Sequence, residues 1–419
     1  MDTVIERVRM AYPVDLWWLG AGCFLNIAGL SLLWPVNALY IHTTLGKPMT
    51  VAGMVLMLYS AMGFFGSLFA GWLYDRIGPL RVFVIGLLPA ALVICLPGLF
   101  QAWTPYIGVM AVFGFACAMP FPAFNALAGQ VWPEGGRRAF NFIYVANNLG
   151  VALGTAVGGF LAEVSFRCVF FGIAAAYAGL LILVTVGFRR RFSSTRRRKA
   201  GLVGKGKLGA SPNSLLSAGP TGLPWGPVFA LLLGFVSAWA IYVQWQSTIS
   251  VYMQSLGFPL SAYSLLWTLN GLVIFAGQPL VSLVTKRIHT LSVQMWLGCG
   301  LFAACFLLLA FYHGYPAFVT AMVLLTFGEM FVWPAVPAAL ASMAPDDKAG
   351  LVQGLSGACA TLGRMIGPVV GGVMYDRMAM SEVLLVCAVG FALPFVSFSL
   401  FHKLAHRDKT PVSQNSLSG

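Results

Sequence analysis

Hydrophobic residues form long, nearly uninterrupted stretches along the whole 419-residue chain. An α-helix needs about 20 such residues to cross the hydrocarbon core of a bilayer, and twelve stretches are that long. None shows the alternating apolar and polar pattern of a membrane-barrel strand. The pattern therefore predicts an all-α integral membrane protein, with spans at approximately 16–41, 51–74, 81–100, 104–131, 140–162, 167–188, 225–253, 260–284, 290–311, 316–343, 350–375 and 381–402.

Composition and charge narrow the class of protein. With 59% hydrophobic and 9% charged residues, the chain is too apolar for a soluble domain. The net charge of +13 arises mainly from Lys and Arg in loops on the N-terminal side of the predicted membrane. By the positive-inside rule, this bias predicts a multi-pass protein of the cell membrane with both termini in the cytoplasm. Topology and the lipid bilayer thus account for the basic charge, and we expect no nucleic-acid partner.

No residue pattern indicates an enzyme, a metal site or a bound cofactor. The sequence contains no P-loop, so we do not expect the protein to use ATP directly. Its eight cysteines are scattered, without the spacing of a zinc site or of a disulfide framework. We therefore expect a monomer in the bilayer, with no enzymatic activity, no metal and no cofactor.

A polar stretch separates two groups of six predicted spans. It reads "RRRFSSTRRRKAGLVGKGKLGASPNSLLSAGPTGLP", which is basic at first and then rich in Gly, Ser and Pro. This composition is typical of a flexible linker. We predict an N-terminal six-helix bundle at 1–188, a cytoplasmic linker at 189–224, a C-terminal six-helix bundle at 225–403 and a cytoplasmic tail at 404–419.

The two halves repeat each other in sequence. The fifth span contains "GVALGTAVGGFLAE" from Gly150, and the eleventh contains "GRMIGPVVGGVMYD" from Gly363. Four glycines and a terminal acid coincide between these segments. The fourth and tenth spans likewise share Phe-Gly, followed by Pro seven residues after the Phe. Because both halves begin on the same side of the membrane, the repeat is parallel, as in transporters that enclose a central site and alternate its access.

The loop after the second span, "GWLYDRIGPLRV", resembles the loop signature of the major facilitator superfamily, Gly-x-Leu-x-Asp-Arg-x-Gly-Arg-Lys/Arg. The resemblance implies a secondary transporter of two six-helix bundles, in which this loop is a conformational latch. The latch residues that it implies are Gly71, Asp75, Arg76, Gly78 and Arg81. The equivalent loop after the eighth span has Lys286 in place of the acid, so we expect a latch in one half only.

The stretch "GLSGACATLGRMIGPVVGG" resembles a second family signature, the antiporter motif Gly-x8-Gly-x3-Gly-Pro-x2-Gly-Gly. Drug–proton antiporters carry this motif in the fifth span, where the present chain has Asn141 and Thr155 at the first Gly and at the Pro. The arginine that such antiporters have in the fourth span, before Gly114, is missing. We expect the motif to pack helices closely, since small residues permit close approach in lipid. Its residues are Gly354, Gly363, Gly367, Pro368, Gly371 and Gly372.

The two resemblances together imply proton-coupled efflux of a hydrophobic or amphipathic small molecule by alternating access. The expected partners are that small molecule, protons and the bilayer. Two other interpretations use the same fold. One is a proton-coupled solute importer, and the other is a lipid or glycolipid flippase, which the aromatic-rich spans and the single membrane arginine would suit.

Two charged residues within the spans are candidates for the transport site. Glu329 is the acid that lies well inside a predicted span, and we interpret it as a proton-coupling group or a contact for a cationic solute. A purely structural hydrogen-bonding role is its alternative. Arg364 lies in the eleventh span and suits an anionic group or an acidic partner. Its alternative is an arginine bound to backbone carbonyls at a helix interface.

Amide and aromatic side chains within the spans are further candidates for lining a substrate cavity. For each of them, an interhelical hydrogen bond or simple packing is the alternative interpretation. The candidates are Asn26, Trp34, Asn37, Asn141, Tyr144, Asn148, Gln244, Trp245, Asn270 and Trp333.

Overall fold

The computed structural model describes residues 12–34, 36–132, 137–188, 224–288, 290–343 and 349–407. Within these ranges, twelve helices are long and apolar enough to cross a membrane, and no residue lies in a β-strand. The predicted all-α class and the twelve spans are therefore confirmed. The predicted linker up to residue 223, and the tail from residue 408, lie outside the described residues.

The first six spans are helices α1–α6, several of which are interrupted. Proline causes two of the interruptions, because Pro97 and Pro120 have no N–H group to donate to the preceding turn. The bounds are α1 (Val14–Leu33, then Asn37–Leu39 and the π-helical turn Tyr40–Thr44), α2 (Met49–Ile77), α3 (Pro79–Ile94, then Leu96–Leu99), α4 (Trp103–Ala118, then Pro120–Val131), α5 (Arg137–Val164) and α6 (Phe166–Ile182, then the π-helical turn Leu183–Phe188).

The last six spans are helices α7–α12. Here α7 is interrupted at Val243, whereas α8, α10 and α11 contain proline and continue through it. The bounds are α7 (Trp225–Tyr242, then Gln244–Ser255), α8 (Leu260–Arg287), α9 (Leu291–Phe311), α10 (Tyr315–Met343), α11 (Ala349–Arg377) and α12 (Met380–Gly390, then Ala392–Arg407).

The chain forms two compact units that do not coincide with its two sequence halves. Of the described residues, the first unit joins those up to residue 188 with Trp245–Leu272 and Pro368–Asp376. It therefore contains all of α1–α6 that is described, the second segment of α7, the beginning of α8 and the end of α11. The second unit contains the remaining parts of α7, α8 and α11, together with α9, α10 and α12.

In the first unit, α1 packs along the glycine face of α5. A Cβ atom added at Gly150 would lie 2.8 Å from the carbonyl oxygen of Phe24, and one at Gly158 would lie 2.7 Å from that of Leu32. Real Cβ atoms do not approach a backbone oxygen so closely. Glycine is therefore what permits the two backbones to touch, and lipid-embedded helices gain most of their attraction from such close packing.

In the second unit, α11 packs on the first segment of α7 in the same way. A Cβ atom added at Gly363 would lie 2.6 Å from the carbonyl oxygen of Val236, and one at Gly367 would lie 2.5 Å from that of Ala240. These glycines are the repeat equivalents of Gly150 and of the glycine four residues after it. The same spacing thus produces the same helix contact within each unit.

Candidate functional site

Glu329 lies in the middle of α10 and is 8% exposed. The hydroxyl of Tyr242, at the end of the first α7 segment, donates a 2.8 Å hydrogen bond to its Oε1 atom. A turn earlier on α10, the Thr326 hydroxyl is buried and donates to the Met322 carbonyl over 2.7 Å. Burying a carboxylate in an apolar span is costly unless it is hydrogen-bonded. The Tyr242 hydroxyl supplies that stabilisation.

An indole pair lies beside this carboxylate. The rings of Trp239 and Trp333 stack with their centroids 4.2 Å apart and an interplanar angle of 7°. The Tyr242 ring stands edge-on to both, with its centroid 5.4 Å from each. Phe235 and Phe302 approach Trp333 from α7 and α9, at 5.7 and 5.6 Å. Such a wall is apolar and has a few polar groups at its edge, which is the usual character of a small-molecule site.

Arg364 belongs to the same cluster through Trp239. Its guanidinium carbon lies 4.9 Å from the centroid of the Trp239 ring, within the range of a cation–π contact. Its Nη2 atom also donates to the Thr361 hydroxyl over 3.3 Å. Within the aromatic cluster Trp239–Tyr242–Trp333, Tyr242 therefore contacts a carboxylate and Trp239 contacts a guanidinium. This arrangement suits a flat solute that carries both apolar surface and charge.

Sequence reasoning identified Glu329, Trp333 and Arg364 but missed Tyr242 and Trp239. Tyr242 follows Trp239 by three residues, so the two share one face of α7. Aromatic residues in membrane helices mostly pack against neighbouring helices or anchor a helix at the membrane interface. For this reason Tyr242 and Trp239 were not predicted as site residues. An aromatic pair at helical spacing immediately before the polar "QWQ" segment was the available signal.

Gln244 is buried and bridges two helices. Its Nε2 atom donates to the Ala240 carbonyl of α7 over 2.9 Å and to the Gly367 carbonyl of α11 over 2.8 Å. Both hydrogen bonds are to backbone groups, and they lie at the interruption of α7. In this structure, Gln244 therefore acts as a link between α7 and the glycine face of α11.

In the first unit, Asn37 forms a second buried polar contact. The Tyr106 hydroxyl donates to its Oδ1 atom over 2.6 Å, and its Nδ2 atom points at the Met110 sulfur 3.7 Å away. Asn26 is 1% exposed, and its Oδ1 atom has no partner among the described residues. Two asparagine side chains of α1 are thus buried within the first unit.

The other cavity candidates are dispersed. Trp245 is fully buried and Asn270 is buried, whereas Trp34 and Asn148 are half-buried and Tyr144 is 56% exposed. Asn148 donates to the Tyr144 carbonyl over 2.8 Å, which is a bond within α5. The side chain of Asn141 lies outside the described residues. The structure therefore brings Glu329, Trp333 and Arg364 into one cluster and leaves these candidates elsewhere.

The candidate latch occupies the end of α2 and the turn into α3. Gly78 has a φ of +83°, a left-handed conformation that favours glycine, and Pro79 begins α3 directly after it. The Arg76 guanidinium carbon lies 4.1 Å from the centroid of the Trp72 ring. Arg81 is exposed, a Cβ atom added at Gly71 would meet no neighbouring atom within 4 Å, and the Asp75 side chain lies outside the described residues.

Twelve helices of membrane-spanning length among the described residues, a parallel sequence repeat and a buried charged cluster define the class of the protein as a multi-pass membrane transporter. The sequence model described as Major Facilitator Superfamily matches residues 19–368 and, overlapping, 261–417. The chain therefore belongs to the major facilitator superfamily, whose members are secondary transporters of small molecules. This confirms the resemblance seen in its two sequence signatures.

Two relatives show how far the similarity reaches. The chain is 42% identical over 411 residues to YttB of Bacillus subtilis (strain 168), named an uncharacterized MFS-type transporter, covering 97% of this chain and 100% of that protein. It is 23% identical over 392 residues to the quinolone resistance protein NorA of Staphylococcus aureus (strain MSSA476), covering 92% and 95%. The first relative is itself named a transporter, and the second is a distant relative.

The solved structures confirm the fold. The crystal structure of a POT family transporter in complex with 5-aminolevulinic acid aligns with a TM-score of 0.78, covering 94% of this chain and 97% of that one. The sequences are 14% identical over this alignment. Similarity at this level establishes a shared architecture and leaves the substrate and the direction of transport to be argued from the residues.

Proposed function

We propose that the protein exports a hydrophobic or amphipathic small molecule in exchange for protons, and that Glu329 is the group that binds the proton. The observation that carries this proposal is the buried Glu329 carboxylate, hydrogen-bonded to Tyr242 beside the Trp239–Trp333 pair. An ionisable residue inside a membrane span is costly and commonly marks a proton or solute path. The similarity to a quinolone resistance protein supports the direction of export.

Coupling follows if the proton and the solute compete for one cluster. When Glu329 is ionised, its charge and the indole pair together attract an amphipathic solute that carries positive charge. Protonation removes that charge, so the affinity for the solute falls and the solute is released. Two ligands that favour different states of one site drive each other's transport, because each shifts the population toward the state that it binds.

The test is transport by the purified full-length protein in proteoliposomes with an imposed pH gradient. We expect gradient-driven movement of a lipophilic dye cation, and we expect Glu329→Gln to reduce it to the rate of vesicles without protein. Glu382→Gln is the matched control, because the Glu382 carboxylate accepts a 3.0 Å bond from Ala379 N at the start of its own helix. Gradient-driven transport that persists at the wild-type rate in Glu329→Gln would refute the assignment.

The same vesicles separate the alternative functions. Solute that moves in the same direction as the protons would indicate an importer. Transfer of a labelled lipid between leaflets, lost in Arg364→Gln, would indicate a flippase. Counterflow of labelled solute in Glu329→Gln, measured without a pH gradient, reports binding apart from coupling. Because the same charge attracts the solute, we expect counterflow to be weakened in Glu329→Gln, and counterflow at the wild-type rate would indicate that this carboxylate does not contact the solute.

The proposed orientation places both termini in the cytoplasm of a cell-membrane protein. The basic loops on the N-terminal side support it. The sequence repeat supports bundles at 1–188 and 225–403 that move relative to each other, joined by the linker at 189–224. The signature loop with Asp75 and Arg76 would then be a cytoplasmic latch. Labelling of a single cysteine placed in the tail, with intact cells and with inverted vesicles, tests the orientation.

A further inference from the structure

The two repeat-equivalent acids at the ends of α5 and α11 make equivalent contacts. We propose that Glu163 and Asp376 are a matched pair of gate residues. Each carboxylate caps the first turn of a helix in the other sequence half, and together they hold shut the end of the transport pathway at which α2 and α8 begin. The proposal rests on alternating access, which is general to a secondary transporter, and is independent of the identity of the solute.

Asp376, at the end of α11, makes the more extensive contact. It accepts hydrogen bonds from the Met49 N–H over 2.9 Å, from the Thr50 N–H over 2.7 Å and from the Thr50 hydroxyl over 2.6 Å. These are the first two residues of α2, and the preceding Pro48 provides no side-chain cap. The first N–H groups of a helix have no partner inside it and carry partial positive charge. The carboxylate from α11 therefore replaces the missing cap.

Glu163, at the end of α5, makes the equivalent contact with α8. Its Oε1 atom accepts a 2.8 Å hydrogen bond from the Ser261 N–H. Ser261 is the second residue of α8, just as Thr50 is the second residue of α2. The sequence repeat relates Glu163 to Asp376 and Thr50 to Ser261. In each half, the terminal acid thus accepts hydrogen bonds from the corresponding helix of the other half. A single fortuitous contact would not produce this symmetry.

Glycines bring both pairs of helices close enough for these bonds. Gly372 lies one turn before Asp376, and a Cβ atom there would collide with the Met49 carbonyl oxygen. Gly159 lies one turn before Glu163, and a Cβ atom there would lie 3.3 Å from the Leu260 carbonyl oxygen and collide with the Ser264 hydroxyl. The last glycine of the packing motif therefore permits the close approach that the terminal acid needs to cap the neighbouring helix. This combination is present twice within the first compact unit.

The contacts hold this end shut without locking it. A transporter that exposes its site at this end must separate α2 from α11 and α8 from α5. Both carboxylates are exposed at the surface, and water then solvates them and the released N–H groups. The contacts therefore shift the equilibrium between the open and closed states of this end modestly toward the closed state, as exposed charge interactions do. Asp376, which accepts three bonds, contributes more than Glu163, for which one bond is present.

The test measures opening directly in the full-length protein in lipid nanodiscs, without solute and without a pH gradient. Spin labels are placed on two exposed residues that flank the α2–α11 contact, Thr44 before the start of α2 and Met378 directly after α11. The native cysteines are replaced in this background. We expect Asp376→Asn to raise the population with the longer label separation about three- to tenfold. A charge at a helix terminus stabilises the helix by a free energy of this order. Labels at Val164 and Leu256 report the α5–α8 contact, where we expect about a twofold rise in Glu163→Gln.

Glu382→Gln is the control, because this acid caps its own helix, and its distances are expected to match those of the wild type. Distance distributions in Asp376→Asn that coincide with those of the wild type would overturn the proposal. If Asp376→Asn does not fold, Thr50→Val removes the hydroxyl bond alone and is expected to open the same pair less. Because no solute or proton gradient is used, failure of the proposed export function would leave this outcome unaffected. Failure of the gate proposal would likewise leave the export test unaffected.

Discussion

Helices α5 and α11 are two copies of one sequence segment, and their difference separates packing from chemistry. Both place glycines against the first or seventh helix, and both end in an acid that caps a helix of the other half. Yet α11 has Arg364 and Pro368 where α5 has Val151 and Thr155. The packing surfaces and the terminal acids are thus duplicated, whereas the membrane arginine is present in one copy.

The comparison extends to the neighbouring helices. Glu329 of α10 is aligned by the repeat with Phe115 of α4, whose ring packs against Phe69 at a centroid distance of 5.7 Å. The second copy therefore has a buried acid, an indole pair and an arginine, where the first has an aromatic contact. The repeat therefore duplicates the scaffold, whereas the buried acid and the membrane arginine are present in one copy.

Alanine substitutions at equivalent glycines test whether the packing is shared, and they carry the largest expected effect. A Cβ atom at Gly367 would collide with Val243, and one at Gly154 would collide with the Ala28 carbonyl oxygen. We expect Gly367→Ala and Gly154→Ala each to destabilise the protein by about 1–3 kcal/mol, the usual cost of overpacking. Thermal unfolding of the purified protein in detergent measures this.

Gly354→Ala provides the matched control for these variants. Gly354 belongs to the same motif, but nothing lies within 4 Å of a Cβ atom added there. Its melting temperature is expected to equal or slightly exceed that of the wild type. Destabilisation by Gly367→Ala without a comparable loss in Gly154→Ala would show that the two copies do not share one packing role.

Most of the fold was predictable because lipid leaves few options for a backbone. Every N–H and C=O group in the hydrocarbon core must be bonded internally, so long apolar stretches imply helices. The glycine spacing, the coincident terminal acids and the shared Phe-Gly and Pro pattern revealed the repeat. The interruption of α7 at Val243 was not predicted, since its apolar stretch runs on without proline from residue 228. Such a break depends on tertiary bonds, of which the Gln244 contact with Gly367 is one.

The candidate site was predictable only in part, for a physical reason. Charges in a membrane span are rare enough to be conspicuous, and Glu329 and Arg364 were found on that basis. Their partners Tyr242 and Trp239 are aromatic residues among many, and composition does not distinguish a ligand wall from packing. The acids Glu163 and Asp376 were visible as coincident ends of the repeat. Their role depends on which helix begins beside them, which only the tertiary structure reveals.

Removing the Tyr242 hydroxyl tests whether polar contacts to buried side chains differ in function between the two units. We expect Tyr242→Phe to reduce gradient-driven transport about tenfold, since a hydrogen bond to a charged group contributes roughly 1.5–3 kcal/mol. Tyr106→Phe removes the 2.6 Å bond to Asn37 in the first unit and is the control. Proteoliposome transport rates at equal protein content measure both. Equal losses in the two variants would contradict a site concentrated in the second copy.

Shortening the indole wall has the smallest expected effect and defines which solutes the cluster accepts. Trp239 contacts both the Trp333 ring and the Arg364 guanidinium, so Trp239→Leu removes a stacked surface and leaves the charges. We expect the affinity for a planar aromatic cation to fall about three- to tenfold, because an aromatic pair contributes about 0.5–1.5 kcal/mol beyond its buried area. Equilibrium binding by fluorescence measures this, with an aliphatic cation as the comparison solute and Trp225→Leu, at the exposed start of α7, as the control. An equal loss for planar and aliphatic cations would mean that Trp239 supports the shape of the cluster and that solutes do not stack on it.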